Sequence, residues 1–305
     1  MKEFFPEGTH FSRAEGAREI PHATLLQAME TGAILQAPVL SCNENHDLTV
    51  DLGCMKGIIP RTEGAIGIRE GTVRDIAVIS CVGKPVCFCV TGFGTDPAGR
   101  PLAQLSRRAA QEKYRAFFRE TVRPGDVLPA RVTHLESFGA FCDIGCGLIA
   151  LMPIDAISVS RISSPKDRFC VGQEIRVVVR QIAEDGKITV SQKELLGTWE
   201  ENAALFSPRQ TVSGIIRSVE EYGVFVELTP NLAGLAEPKE GVRVGQVAGV
   251  YIKSILPEKM KIKLIIIDSF FGDYRPDLTY FFTGNHLDRF DYSPAQCPRK
   301  ISTVF

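Results

Sequence analysis

The 305-residue sequence has no excess of basic residues and no long apolar run. Its 35 Lys and Arg against 36 Asp and Glu leave a formal net charge of −1. Broad nonspecific attraction to nucleic acid normally requires a basic excess, so any such binding must depend on local placement of charge. No apolar stretch approaches the roughly 18 residues of a membrane helix, and the sequence does not start with a signal-peptide pattern. We therefore expect no membrane association and a cytoplasmic location.

The nine cysteines include no C-x-x-C pair, and no histidine lies near them at zinc-finger spacing. Most of them sit in apolar, alternating segments. This favours small core side chains in a reducing compartment over metal ligands or disulfides. We expect no metal site and no cofactor.

Motifs of catalysis are also missing. The sequence contains no P-loop and no H-E-x-x-H, and its five histidines are scattered. We predict that the protein is not an enzyme.

What the sequence does contain is an internal repeat. The stretch ESFGAFCDIG, Glu136 to Gly145, returns as EEYGVFVELT, Glu220 to Thr229. A second block follows each copy, VGQEIRVVVRQI from Val171 and VGQVAGVYIKSI from Val244. Two copies of the same unit are therefore predicted.

A basic alternating strand closes each copy, KITVSQK from Lys187 and KIKLIII from Lys261. A weaker, earlier copy has VGKPVCFCV from Val82 and QLSRR from Gln104. Each unit has about five short strands separated by turns, which is typical of small barrels and not of a parallel α/β sheet.

Two helical stretches separate the units. SRRAAQEKYRAFFRE begins with Ser106 as a candidate N-cap, and TWEENAALF has Thr198 and Glu201 at capping-box spacing. The aromatic-rich end of the chain reads as a hairpin turning at Gly284 and Asn285, and as either a docking element or a cap over the third barrel. The predicted segments are an N-terminal stretch (1–27), a degenerate barrel (28–107), a helical linker (108–122), a barrel (123–195), a helical linker (196–208), a barrel (209–268) and a C-terminal extension (269–305).

The second and third units resemble the S1 RNA-binding domain, and the order of the units is similar to a shortened bacterial ribosomal S1 protein. The resemblance implies a mostly β fold of three tandem five-stranded OB-fold barrels joined by short helices. It also implies binding of single-stranded RNA through an F-G-x-F motif and a basic residue that opens the last strand. The predicted RNA contacts are Arg131, His134, Phe138, Phe141 and Lys187 in the second unit, and Arg217, Tyr222, Phe225 and Lys261 in the third.

The spacing of the aromatic pairs raises a physical question. Residues three apart on a regular strand face opposite sides, so Phe138 and Phe141 could share a face only if a bulge at Gly139 re-aimed the chain. Two aromatics on one exposed face would form a sequence-tolerant stacking surface for bases. Without a bulge, Phe141 would belong to the core and Phe138 to the rim, and the exposed lysines could be merely solvated charge.

Two functions remain open at this point. The first is binding of single-stranded RNA, mRNA being favoured, in translation or on the small ribosomal subunit. The second is a protein-interaction scaffold of degenerate barrels with little RNA binding. The scaffold is favoured by Ala150 and Glu237, which stand where the S1 family often has histidine, and by His46 and Thr49, which replace the aromatics in the first unit.

Overall fold

The repeats fold into three closed five-stranded barrels. The structure is a computed structural model that describes residues 4–9, 19–274 and 277–305. The first barrel consists of β1 (Ile34–Cys42), β2 (Leu48–Asp51), β3 (Lys56–Ile59), β4 (Pro85–Thr95) and β5 (Pro101–Ser106). The second consists of β6 (Val127–Glu136), β7 (Gly139–Asp143), β8 (Ile149–Pro153), β9 (Glu174–Ile182) and β10 (Ile188–Ser191). The third consists of β11 (Thr211–Glu220), β12 (Gly223–Thr229), β13 (Leu232–Ala236), β14 (Val247–Leu256) and β15 (Lys261–Phe270).

The three barrels share one strand order, in which the first strand neighbours both the second and the fourth. The third and fifth strands pair in parallel, as β13 does with β15. This is the OB-fold arrangement, and it confirms the predicted fold class. Closure leaves no sheet edge unpaired over the length of the barrel wall.

Alternation along the strands explains how each barrel fills its core. On β15, Lys261 and Lys263 are exposed while Ile262 and Leu264 are buried. Side chains of a strand point alternately inward and outward, so one sequence supplies both the core and the charged surface.

The helices are fewer than the strands. They are α1 (His22–Thr31), α2 (Ile76–Ile79), α3 (Arg107–Thr121) and α4 (Trp199–Ala203). The backbone N–H of Ala109 donates to the Ser106 hydroxyl at 2.9 Å, as the N-cap prediction requires. A capping box formed by Thr198 and Glu201 starts α4, which covers only part of the predicted linker. No helix in the described part of the chain is long and apolar enough to cross a membrane.

The end of the chain differs from the predicted hairpin at Gly284 and Asn285. Instead, β16 (Arg289–Asp291) pairs with β17 (Ser302–Val304). The segment before β16 bonds to the second barrel: the N–H of Leu287 donates to the Gly125 carbonyl at 2.9 Å. Those bonds occupy the backbone groups that a local hairpin would have used.

Residue contacts divide the chain into two compact units. One contains residues 1–122 with 129–131 and 143–149, and the other contains 123–128, 132–142 and 150–305. The first unit is built on the core of the first barrel, into which α1 inserts Leu25 and Ala28.

In the second unit, the C-terminal segment completes the core of the third barrel. Phe290 and Tyr292 pack in one cluster with Trp199 and the barrel residues. The Tyr292 hydroxyl also donates to the Asn231 carbonyl. Between the two alternatives left open by the sequence, this packing favours the cap over the free docking element.

Six of the nine cysteines are buried, and the described residues contain no disulfide.

Candidate nucleic-acid interface

An aromatic pair, of which Phe138 is exposed and Phe141 is half-buried, lies at the β6–β7 hairpin of the second barrel. Phe138 is in the turn before β7, and Phe141 is on the strand. Their ring centroids are 6.0 Å apart, and the ring planes meet at 88°. Phe138 is 55% exposed. The two rings therefore share a face in an edge-to-face arrangement, which leaves aromatic surface open to solvent.

The third barrel repeats this geometry. Tyr222 lies in the turn before β12, and Phe225 is on the strand. The ring centroids are 6.2 Å apart at 87°, and Tyr222 is 68% exposed. The second and third barrels therefore carry the same edge-to-face aromatic pair, although their motifs match only in pattern.

The glycine inside each motif, where strand alternation suggested a bulge, lies at a close approach of backbone. A β-carbon on Gly139 would lie 2.4 Å from the Met152 carbonyl oxygen, and one on Gly223 would lie 2.6 Å from the Ala236 carbonyl oxygen. In the third barrel the irregularity falls on the opposite strand, between Ile216 and Ser218. The first aromatic precedes its strand, so strand alternation does not constrain it.

A cross-strand row connects the aromatic pair of the third barrel with a cation. Phe225 pairs with Leu235, and Leu235 pairs with Lys263. Lys263 is exposed, and directly paired residues project to the same face. The predicted contact Lys261 lies two residues further from this row on β15. Lys263 is the functional candidate that the sequence reasoning left out of its predicted contacts, and the parallel pairing of β13 with β15 is what places it there.

The predicted cations of the second barrel each have an internal partner. The imidazole of His134 lies 6.2 Å from the Phe141 ring centroid, and its Nε2 is 2.7 Å from Glu136 Oε1. Lys187 is 84% exposed and its ammonium lies 2.6 Å from the Asp185 carboxylate. That carboxylate raises the pKa of Lys187, so the lysine stays charged.

Arg131 lies in the first unit. Its guanidinium donates to the backbone carbonyl of Glu7 at 3.1 Å.

Arg217 is held inside the second unit. Its Nε donates to the Glu227 carboxylate at 2.7 Å, and its side chain is only 9% exposed. Glu227 is fully buried and also pairs with Arg168 at 2.7 Å. This corrects the placement predicted for Arg217: a guanidinium enclosed in this cluster does not reach a surface ligand, and we leave it out of the proposed interface.

The two positions where the S1 family often has histidine differ from each other. Ala150 is buried in the second barrel. Glu237 is exposed in the third barrel, and its carboxylate lies 3.5 Å from the Lys253 ammonium. Glu237 therefore offsets a neighbouring cation instead of adding a donor to the face.

The first barrel has no aromatic pair at the corresponding place. His46 occupies the turn with φ 64°, and its Nδ1 lies 3.5 Å from the Asp75 carboxylate. Asp75 also accepts from Arg61 at 2.6 Å. A small polar cluster lies where the other barrels carry their edge-to-face aromatic pairs. Among the described residues, no group of three or more His, Cys, Asp or Glu could hold a metal ion.

Part of the chain is similar to a known protein family. Residues 121–193, which contain the second barrel, match the S1 RNA binding domain family. The chain therefore contains three tandem barrels of one strand order, and the second of them matches this family.

The particular likeness is to small ribosomal subunit protein bS1. The protein of that name from Staphylococcus haemolyticus is 28% identical over 272 residues, which cover 84% of this chain and 66% of the relative. The bS1 homolog of Bacillus subtilis is 28% identical over 292 residues, 92% of this chain and 72% of the relative. The chain thus spans about two thirds of the length of the first of these relatives. A solved multidomain protein with nucleic acid binding domains from Streptococcus pneumoniae aligns over 77% of this chain and 73% of its own, at 16% identity and a TM-score of 0.26.

Proposed function

We propose that this protein binds single-stranded RNA, with mRNA the favoured ligand, on the aromatic pairs of its second and third barrels. The observation that carries the proposal is the exposed edge-to-face geometry of Phe138 with Phe141 and of Tyr222 with Phe225. The match to the S1 RNA binding domain over residues 121–193 supports it. The likeness to small ribosomal subunit protein bS1 supports a role in translation in the cytoplasm, with the small ribosomal subunit as a partner.

The energetics fit a weak contact repeated along one strand. Base–aromatic stacking contributes about 1–3 kcal/mol per base, before the cost of ordering the RNA. Two barrels on one chain make the second contact intramolecular, at an effective concentration on the order of mM. Affinity then arises from two modest sites and not from one deep pocket.

A fluorescence-anisotropy titration with labelled oligouridylate tests the proposal. We expect the double substitution Phe138→Ala with Phe141→Ala to weaken binding about tenfold or more, since about 1.4 kcal/mol corresponds to tenfold. Tyr222→Ala with Phe225→Ala should act similarly. Phe271→Ala removes an equally exposed aromatic outside both pairs and should change little. Unchanged affinity in both double variants would refute the proposal.

The second candidate function is a protein-interaction scaffold. It is favoured by the first barrel, where His46 and Asp75 form a polar cluster in place of the rings. Affinity purification with and without nuclease separates the two functions. Partners lost on nuclease treatment support RNA binding, whereas partners retained support the scaffold.

A further inference from the structure

A cavity of about 370 Å³ lies in the second unit, between the segment that follows β8 and the C-terminal strand pair β16–β17. Its floor is apolar and is formed by Val159, Ile162, Phe290 and Ile301. Phe290 is buried in the core cluster, on which Val159 and Ile301 also pack. The floor is therefore held by the fold. The volume is within the range of small-ligand sites.

The rim of the cavity is cationic. The lining, which is drawn from described residues, includes Arg161 and Lys193 against one acid, Asp155. Arg161 is exposed and forms no ion pair with any described residue. The Lys193 ammonium donates to the backbone carbonyl of Asp155 at 3.1 Å, which fixes it at the rim. An apolar floor beneath two cations suits a planar apolar group attached to an anion.

The cavity lining is joined to the aromatic turn of the second barrel by a backbone hydrogen bond. Ile154, which lines the cavity, donates its backbone N–H to the carbonyl of Phe138 at 2.9 Å. The Ser158 hydroxyl donates to the Ser160 carbonyl at 2.9 Å. This internal bond orders the loop that lines the cavity.

We propose that the cavity is an RNA subsite in which a nucleotide next to the stacked bases places its base on the apolar floor and its phosphate against Arg161 and Lys193. This rests on the proposed function, since it extends the strand bound at Phe138 and Phe141. Charge complementarity to two cations against one acid selects RNA over an apolar peptide, and the backbone bond between Ile154 and Phe138 ties the lining to the aromatic turn. The C-terminal strand pair then acts in binding as well as in closing the third barrel.

The test uses the full chain and two labelled oligouridylates, one of about 4 nucleotides and one of about 12. Arg161→Glu should lower the affinity of the longer probe several-fold and reduce its salt slope by about 1, while leaving the shorter probe unchanged. The matched control is Lys166→Glu, the same charge reversal in the same segment but outside the cavity lining. It should change neither probe by a comparable factor.

The outcomes separate the subsite from the proposed function. If Phe138→Ala with Phe141→Ala weakens both probes and Arg161→Glu affects neither, or both equally, the subsite is refuted and the proposed function stands. If the aromatic variants bind both probes normally, the proposed function itself fails. Photocrosslinking of a thiouridine-substituted probe to the segment of Phe290 and Tyr292 supports the subsite; crosslinks confined to residues 134–141 refute it.

Discussion

A β-carbon on Gly139 would lie 2.4 Å from the carbonyl oxygen of Met152. Strand β8 thus passes against β7 at the point where the chain leaves the turn that carries Phe138. No side chain fits between the two backbones, because real β-carbons do not approach an oxygen so closely. The close packing of β7 against β8 therefore requires glycine directly after the turn that carries Phe138.

We predict that Gly139→Ala destabilises the fold and disturbs the aromatic pair. Overpacking of this kind costs about 1–3 kcal/mol, because the neighbouring backbone must shift. Urea unfolding should show the loss, and oligouridylate affinity should fall with it. The control is Gly94→Ala on β4, where the nearest atom to a new β-carbon is 3.7 Å away. Equal effects of the two substitutions would contradict the steric argument.

We predict that Lys263, more than Lys261, contributes to RNA affinity. Lys263 is in register with Leu235 and, through it, with Phe225, whereas Lys261 lies beyond this row. Lys263→Ala should lower affinity and reduce the slope of log affinity against log salt by about 1, the value for one phosphate contact. Lys261→Ala, a matched change on the same strand face, should do less. A larger effect of Lys261→Ala would show that the strand follows another path.

The salt slope of the native protein should itself be shallow. Several cations near the aromatic pairs already have acidic partners, such as Lys187 with Asp185 and Lys253 with Glu237. Binding by few phosphate contacts gives a small slope. Anisotropy titrations between low and moderate salt measure it, and a steep slope would indicate a basic groove elsewhere on the chain.

The sequence pattern predicted those features of the structure that depend on residues close together in the chain. The internal repeat and the S1 resemblance predicted the barrels, and Ser106 predicted the start of α3. The shared aromatic face was expected only with a bulge at Gly139, whereas the structure places the first aromatic of each pair in the turn before the strand. The burial of the Arg217 side chain could not be predicted in this way. Its partner Glu227 is also bound by Arg168, which is 59 residues earlier in the chain. Only the folded unit brings those charges together.

The Arg168–Glu227–Arg217 cluster should be a major source of stability in the second unit. The Glu227 side chain is fully buried and both guanidiniums approach it to 2.7 Å. Burial lowers the pKa of Arg168, and the carboxylate opposes that shift. Glu227→Gln would remove the carboxylate that both enclosed guanidiniums contact and leave Asp167, 3.6 Å from Arg217, as the remaining acid, at a cost of about 3–5 kcal/mol in unfolding free energy.

Two controls make this prediction specific. Asp291→Asn breaks an exposed pair with Arg289, 56% and 60% exposed, and should cost less than about 1 kcal/mol. Arg217→Ala should lower stability while leaving oligouridylate affinity unchanged under conditions where the variant is folded. A loss of affinity at full stability would instead return Arg217 to the RNA interface.

The first unit contains a buried carboxylate, Asp143, whose titration makes the stability of the unit depend on pH. Asp143 accepts backbone N–H bonds from Glu7 at 2.7 Å, from Gly145 at 2.8 Å and from Gly147 at 3.0 Å. Burial, with the Glu7 carboxylate, raises the pKa of Asp143 from 3.8 to about 7. Between these two values the folded state binds more protons at this group than the unfolded state does.

Stability contributed by this group must then rise as pH falls from about 7 to about 4. We predict that the unfolding free energy of the native protein, measured relative to Asp143→Asn, increases over this range in urea titrations. Asp96→Asn provides the opposite sign, because hydrogen bonds from Arg100 lower the pKa of that half-buried carboxyl and its contribution is lost on acidification. A native protein that loses stability relative to Asp143→Asn as pH falls would mean that the three N–H donors, and not burial, dominate at Asp143.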